Sequence, residues 1–64
     1  MVVNGERVQY REGLTLHTLL DQLKIDQRTV VVMHQDAIYK AGQIPDVSLA
    51  DRDVVEIVTM RQGG

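Results

Sequence analysis

Apolar positions along this chain repeat with two different periods. Leu16, Leu19, Leu20 and Leu23 recur at i, i+3, i+4 and i+7, which draws one apolar stripe down a helix. Elsewhere the repeat is two. Val8 and Tyr10 alternate with Arg7 and Gln9, and Val55 and Ile57 alternate with Glu56 and Val58. Punctuation places the ends. Asn4-Gly5 sits between Met1–Val3 and Glu6–Tyr10, and both of its residues tolerate positive φ, so a β-hairpin opens the chain. Arg11-Glu12-Gly13 is a loop. Thr15 then offers a hydroxyl as helix N-cap, and Leu14 with Leu19 can form a hydrophobic staple across it. The spacing predicts a helix over about 16–24, with His17, Thr18, Asp21, Gln22 and Lys24 on the wet side. It is too short to hold alone and must pack on a sheet.

Thr29 to His34 is β-branched and apolar on both faces, Gln35-Asp36 reads as a tight turn, and Ala37-Ile38-Tyr39 as a short return strand. Residues 40–48 are irregular, broken by Gly42 and Pro45 and anchored by Ile44 and Val47. Residues 49–53 make an Asp-rich turn before a last strand, Val54 to Thr59. The order is β-β-α-β-β-β. One helix cannot cover two sheets, so hairpin and later strands share one. The expected fold is α+β, a ubiquitin-like β-grasp: a mixed four- to five-stranded sheet with one main helix on one face. If Val55, Ile57, Val30 and Val32 face that helix, then Val31, Met33, Val58 and Met60 point away and form an exposed apolar patch. Patches of this kind mark contact sites, and methionine suits docking to more than one partner.

Length sets further limits. A chain of 64 residues is one domain at most. It buries only about 60% of its unfolded surface and leaves little room for a substrate pocket. There is no cysteine, hence no disulfide, thiol nucleophile or Cys-based zinc site. Acids and bases are interspersed around a net charge of -2, and the only aromatics are Tyr10 and Tyr39, so neither nucleic acid nor membrane is an expected partner. No leader is expected ahead of the hairpin, and a cytoplasmic protein fits this composition.

Catalytic chemistry is poorly represented. His17 reads as a solvated helix residue and His34 as a strand-end residue, without an acid cluster at metal-ligand spacing. Thr15, Thr18 and Ser48 lack a base at recognisable spacing. Asp51 and Asp53 suit backbone caps of their turn. The end of the chain is different. Residues 1–59 are expected to form the domain and residues 60–64, Met60-Arg61-Gln62-Gly63-Gly64, a flexible tail. Extended, that tail reaches about 17 Å, at about 3.4 Å per residue. Paired glycines can thread a narrow channel and present the Gly64 carboxylate to another protein's active site.

These parts together resemble the ThiS family, the sulfur carriers of thiamine biosynthesis. The resemblance runs through Asn4-Gly5-Glu6, Gly13-Leu14-Thr15-Leu16 with Leu19-Leu20, and Tyr39 through Gly42 and Pro45 to Leu49. It continues in Asp53-Val54-Val55-Glu56-Ile57-Val58 and in Met60 with Gln62-Gly63-Gly64. Arg52 departs from it, standing where the family usually has Gly, and so does Thr18, where Glu often closes a capping box. The resemblance implies a co-substrate, not an enzyme. A ThiF-type adenylating enzyme would bind Val31, Met33, Val58, Met60, Arg61 and Gln62. Using its own ATP and Mg²⁺, it would adenylate Gly64, with Gly63 letting the backbone lie flat. Sulfur from a cysteine desulfurase would make a Gly64 thiocarboxylate for the thiazole synthase ThiG. No cofactor or metal belongs to the chain itself. Two other readings stay open: a carrier for molybdopterin (MoaD type) or tRNA thiolation, and a TGS-like β-grasp binding module.

Overall fold

The computed structural model describes residues 1–59. The elements are β1 (Val2–Val3), β2 (Glu6–Arg7), α1 (Leu16–Gln22), β3 (Val30–His34), β4 (Ala37–Tyr39) and β5 (Val54–Thr59), in the expected order. The strands form one five-stranded sheet, β2-β1-β5-β3-β4. β1 and β5 run parallel, and every other pair is antiparallel. Helix α1 crosses one face, and the α+β β-grasp arrangement is the one expected.

Asn4 and Gly5 turn the hairpin with φ of 53° and 82°, the positive values a two-residue turn demands. β2 is shorter than the alternation predicts. Its last bond to β1 runs from Val8 N–H to Met1 O at 2.9 Å, after which Gln9 and Tyr10 have no strand residue opposite. Val8 and Tyr10 still lean on the core.

Thr15 caps the helix, its Oγ1 accepting the Thr18 N–H at 3.3 Å and donating to Thr18 Oγ1 at 3.0 Å. Thr18 thus takes a polar contact at the position where a glutamate would close the capping box. At the far end the helix is shorter than expected. Lys24 turns to φ 59°, its N–H reaching Asp21 O at 3.0 Å while Ile25 N–H reaches Leu20 O at 2.9 Å. This pair of bonds is a Schellman stop, built on a lysine where glycine is usual. It reverses the chain before the fourth stripe residue can bury. Leu23 is left 41% exposed, and Ile25 packs against the core instead.

The core joins Leu16, Leu19 and Leu20 to Val3, Val30, Val32, Val55 and Ile57 of the sheet, with Leu14, Ile44 and Leu49 closing its rim. Each such side chain contributes about 1.5–3 kcal/mol relative to exposure. Residues 40–48 are irregular but tied down. Leu16 N–H donates to Val47 O at 2.8 Å, Leu49 N–H to Leu14 O at 3.0 Å, and Gly42 N–H to Gln27 O at 3.0 Å. His17 is part of this seam, not a solvated residue as expected. Its Nε2–H donates to Ile44 O at 2.6 Å, and its backbone N–H donates to Asp46 Oδ1 at 3.0 Å. Arg52 does not adopt the left-handed conformation that would call for glycine: among the described residues the non-glycine positive φ values are at Asn4, Lys24 and Gln35.

Candidate functional site

Tail residues Met60, Arg61, Gln62, Gly63 and Gly64 lie outside the described residues. What the structure describes is the strand that leads to them and the face beside it. β5 is the middle strand, and Thr59 pairs with Val30. Asn4 and Gln35 complete its hydrogen bonding where its neighbours fall short. β1 is only two residues long, so its ladder ends beside Val55, with Asn4 N–H donating to Val55 O at 2.9 Å. The next inward-facing residue would have an orphan N–H, but Asn4 Oδ1 accepts from Ile57 N–H at 2.7 Å. At the other end Gln35 Oε1 accepts from Val54 N–H at 3.0 Å.

His34 and Asp53 brace the start of β5. His34 Nε2–H donates to Asp53 Oδ2 at 2.7 Å, and the two side chains are 14% and 16% exposed. The same oxygen accepts the Ala50 N–H at 3.0 Å, so Asp53 is the turn cap expected of it. The His34 bond holds the Asp53 carboxyl below the usual carboxylate range; partial burial opposes this, and the Ala50 N–H adds to the lowering. Asp46 is held low by the Thr15 hydroxyl and then by the His17 N–H. Thr15 has one hydroxyl proton, for which Thr18 Oγ1 and the Asp46 carboxylate compete.

Among the described residues no helix lies on the outer face of the sheet, away from α1. Val30 and Val32 point into the core, and Val31 and Met33 point out, half-buried. Register then assembles the face. Val31 stands opposite Val58, while Met33 stands opposite Glu56 on one side and Ile38 on the other. Val54 and Val58 are each 48% exposed and Ile38 is 68% exposed. Val31, Met33 and Val58, singled out from alternation, therefore share one surface. Ile38, Val54 and Glu56 complete it. The two-residue turn at Gln35-Asp36 sets His34 opposite Ala37, and counting back from it would have found Ile38. Met60 lies beyond the described strand. Beside the start of β5, an open groove of about 560 Å³ is lined by Arg7, Tyr10, Arg52 and Asp53 among others. Among the described residues no group of three or more His, Cys, Asp or Glu side chains is placed to hold a metal, and no helix is long and apolar enough to cross a membrane.

A single helix laid over a mixed sheet, with parallel β1 and β5 at its middle, defines a ubiquitin-like β-grasp protein. Sequence comparison narrows the class. The family model described as ThiS family matches residues 1–64. A sulfur carrier protein ThiS of Thermus thermophilus is 36% identical over 62 residues, which is 97% of this chain and 95% of the relative. A sulfur carrier protein ThiS of Bacillus subtilis is 32% identical over 63 residues, 97% of this chain and 96% of the relative. A thiazole synthase of Paramagnetospirillum magneticum is 33% identical over 64 residues, covering all of this chain and 20% of that protein. The chain belongs to the ThiS family.

Proposed function

We propose that this protein is a cytoplasmic sulfur carrier for thiazole formation in thiamine biosynthesis, with the Gly64 carboxylate as its reacting group. One observation carries the reading. The family match runs through Gly63 and Gly64, and both relatives of matching length are sulfur carriers.

The chemistry suits a glycine carboxylate. A carboxylate is a poor acyl donor because oxide is a poor leaving group. One carboxylate oxygen attacks the α-phosphorus of ATP on a ThiF-type adenylating enzyme, and pyrophosphate departs. A cysteine desulfurase supplies persulfide sulfur: its outer sulfur adds to the carbonyl carbon, and AMP leaves with the bonding electron pair. A thiol then attacks the inner sulfur of the resulting acyl disulfide, forming a disulfide and releasing the acyl sulfur as an anion. The product is a thiocarboxylate at Gly64. Glycine leaves that carbonyl unshielded, and Gly63 permits close approach of channel walls to the backbone. ATP and Mg²⁺ are bound by the adenylating enzyme. Val31, Met33 and Val58, with Met60, Arg61 and Gln62, dock on it, while the sheet anchors β5 behind the tail.

The acceptor side has support of its own. A thiazole synthase contains a stretch similar to this whole chain. A carrier joined to the enzyme that consumes its sulfur fits ThiG as the acceptor better than molybdopterin or tRNA enzymes. The test is ATP–pyrophosphate exchange catalysed by the adenylating enzyme of the same organism. Wild-type carrier supports exchange, and a variant lacking Gly64, with an unchanged circular dichroism spectrum, does not. Equal exchange by both would overturn the reading.

A further inference from the structure

We propose that Glu56 is the charged centre of the docking face, and that the adenylating enzyme covers it with an apolar collar around one arginine. This rests on the reading that the outer face docks that enzyme. Glu56 is exposed and sits between Val54 and Val58 on its own strand. Across the sheet it faces Met33, with Ile38 beyond and Val31 beside Val58. On its remaining side lies Asn4, which is uncharged and engaged with Val55 O and the Ile57 N–H. The ion pairs among the described residues are His17–Asp46, Arg28–Asp26 and His34–Asp53, and Glu56 belongs to none of them.

A partner that covers the apolar ring therefore covers the carboxylate at its middle. Removing an unpaired carboxylate from water is far more costly than the surrounding apolar contact can offset. The covering surface must supply a cation and further donors. Arginine suits the place better than lysine. Its planar fork engages both carboxylate oxygens, and its weaker hydration makes desolvation among Met33, Val54 and Val58 less costly. The collar then provides buried area, and the single ion pair fixes register and excludes partners without the cation.

Calorimetric titration of the carrier into the adenylating enzyme of the same organism separates the possibilities. The variants are Val58→Asp, Glu56→Gln and Glu56→Leu, each checked for a melting temperature close to wild type. All three are expected to weaken binding by about thirtyfold or more. Leucine matters most. It adds apolar area to the ring, so it tightens binding if Glu56 only sits wet at a rim, and it weakens binding if a buried guanidinium is left without its partner. Weakening by Val58→Asp with unchanged or tighter binding by Glu56→Leu would overturn the central arginine and leave the docking face standing. Normal binding by Val58→Asp would remove the docking face and this proposal with it.

Discussion

Asn4 carries two structural tasks that substitution can separate. Its backbone holds φ 53° in the hairpin turn, and its side chain accepts the Ile57 N–H at 2.7 Å. Glycine keeps the first and loses the second. Ile57 is 8% exposed, so its N–H has little access to water, and Asn4→Gly should cost about 1–2 kcal/mol. Alanine loses both, and the left-handed conformation adds roughly another 1–2 kcal/mol, so Asn4→Ala should cost about 2–4 kcal/mol. Aspartate keeps an acceptor and tolerates the turn, and should stay within about 0.5 kcal/mol. A chain of 64 residues has about 3–10 kcal/mol of total stability, so the alanine variant gives up a large share. In melting temperature the losses are about 4–16 °C for glycine and about 8–32 °C for alanine. Thermal unfolding followed by far-UV circular dichroism measures the series. Amide exchange at Ile57 should quicken in the glycine and alanine variants and not in the aspartate. A glycine variant that melts with wild type would show that the side-chain bond carries no stability. An alanine variant no worse than glycine would show the same for the backbone requirement.

Two other perturbations bear on the scaffold. Lys24→Gly relieves a left-handed φ of 59° at the helix stop, and should stabilise by about 0.5–1 kcal/mol after the greater freedom of glycine in the unfolded chain is subtracted; a lower midpoint in urea would contradict that account. Asp53 has a folded-state pKa below its unfolded value because of His34, so its contribution is fully present above the ordinary carboxylate pKa of about 3.9 and is lost as pH falls through the lowered value. Asp53→Asn should lower stability at neutral pH by about 1–3 kcal/mol and flatten the acid limb of a stability–pH curve measured by urea unfolding; an unchanged acid limb would rule out the pair as a contributor.

The parts of the fold that were legible in the sequence are those fixed by neighbours along the chain. Asn4-Gly5 specifies its own turn, Thr15 its own cap, and the alternation in β5 its own two faces. Long-range partners were not legible. His17 looks like any polar helix residue until Ile44 O and Asp46 arrive from another segment. Leu23 fits the stripe perfectly well; it stays out because Lys24 accepts a conformation normally signalled by glycine, and Ile25 fills the space. The outer face shows the same division. Alternation separated Val31, Met33 and Val58 from the core residues and put Glu56 on the side of Val58, but only the register of β3 with β4 and β5 brings in Ile38 and sets Glu56 opposite Met33. The expectation of a reacting end at Gly63-Gly64 rests on composition alone, and those residues lie outside the described ones.

The central claim is that chemistry happens at the carboxylate of Gly64, and intact-mass spectrometry reads that atom exchange directly. The carrier is incubated with the adenylating enzyme, ATP and a sulfur source, then fragmented to locate any change. The account predicts a gain equal to the mass of sulfur less that of oxygen, confined to the fragment that ends in Gly64 and absent when ATP is withheld. A carrier that keeps its mass while the adenylating enzyme thiolates a ThiS control, or one that gains sulfur elsewhere in the chain, would contradict it.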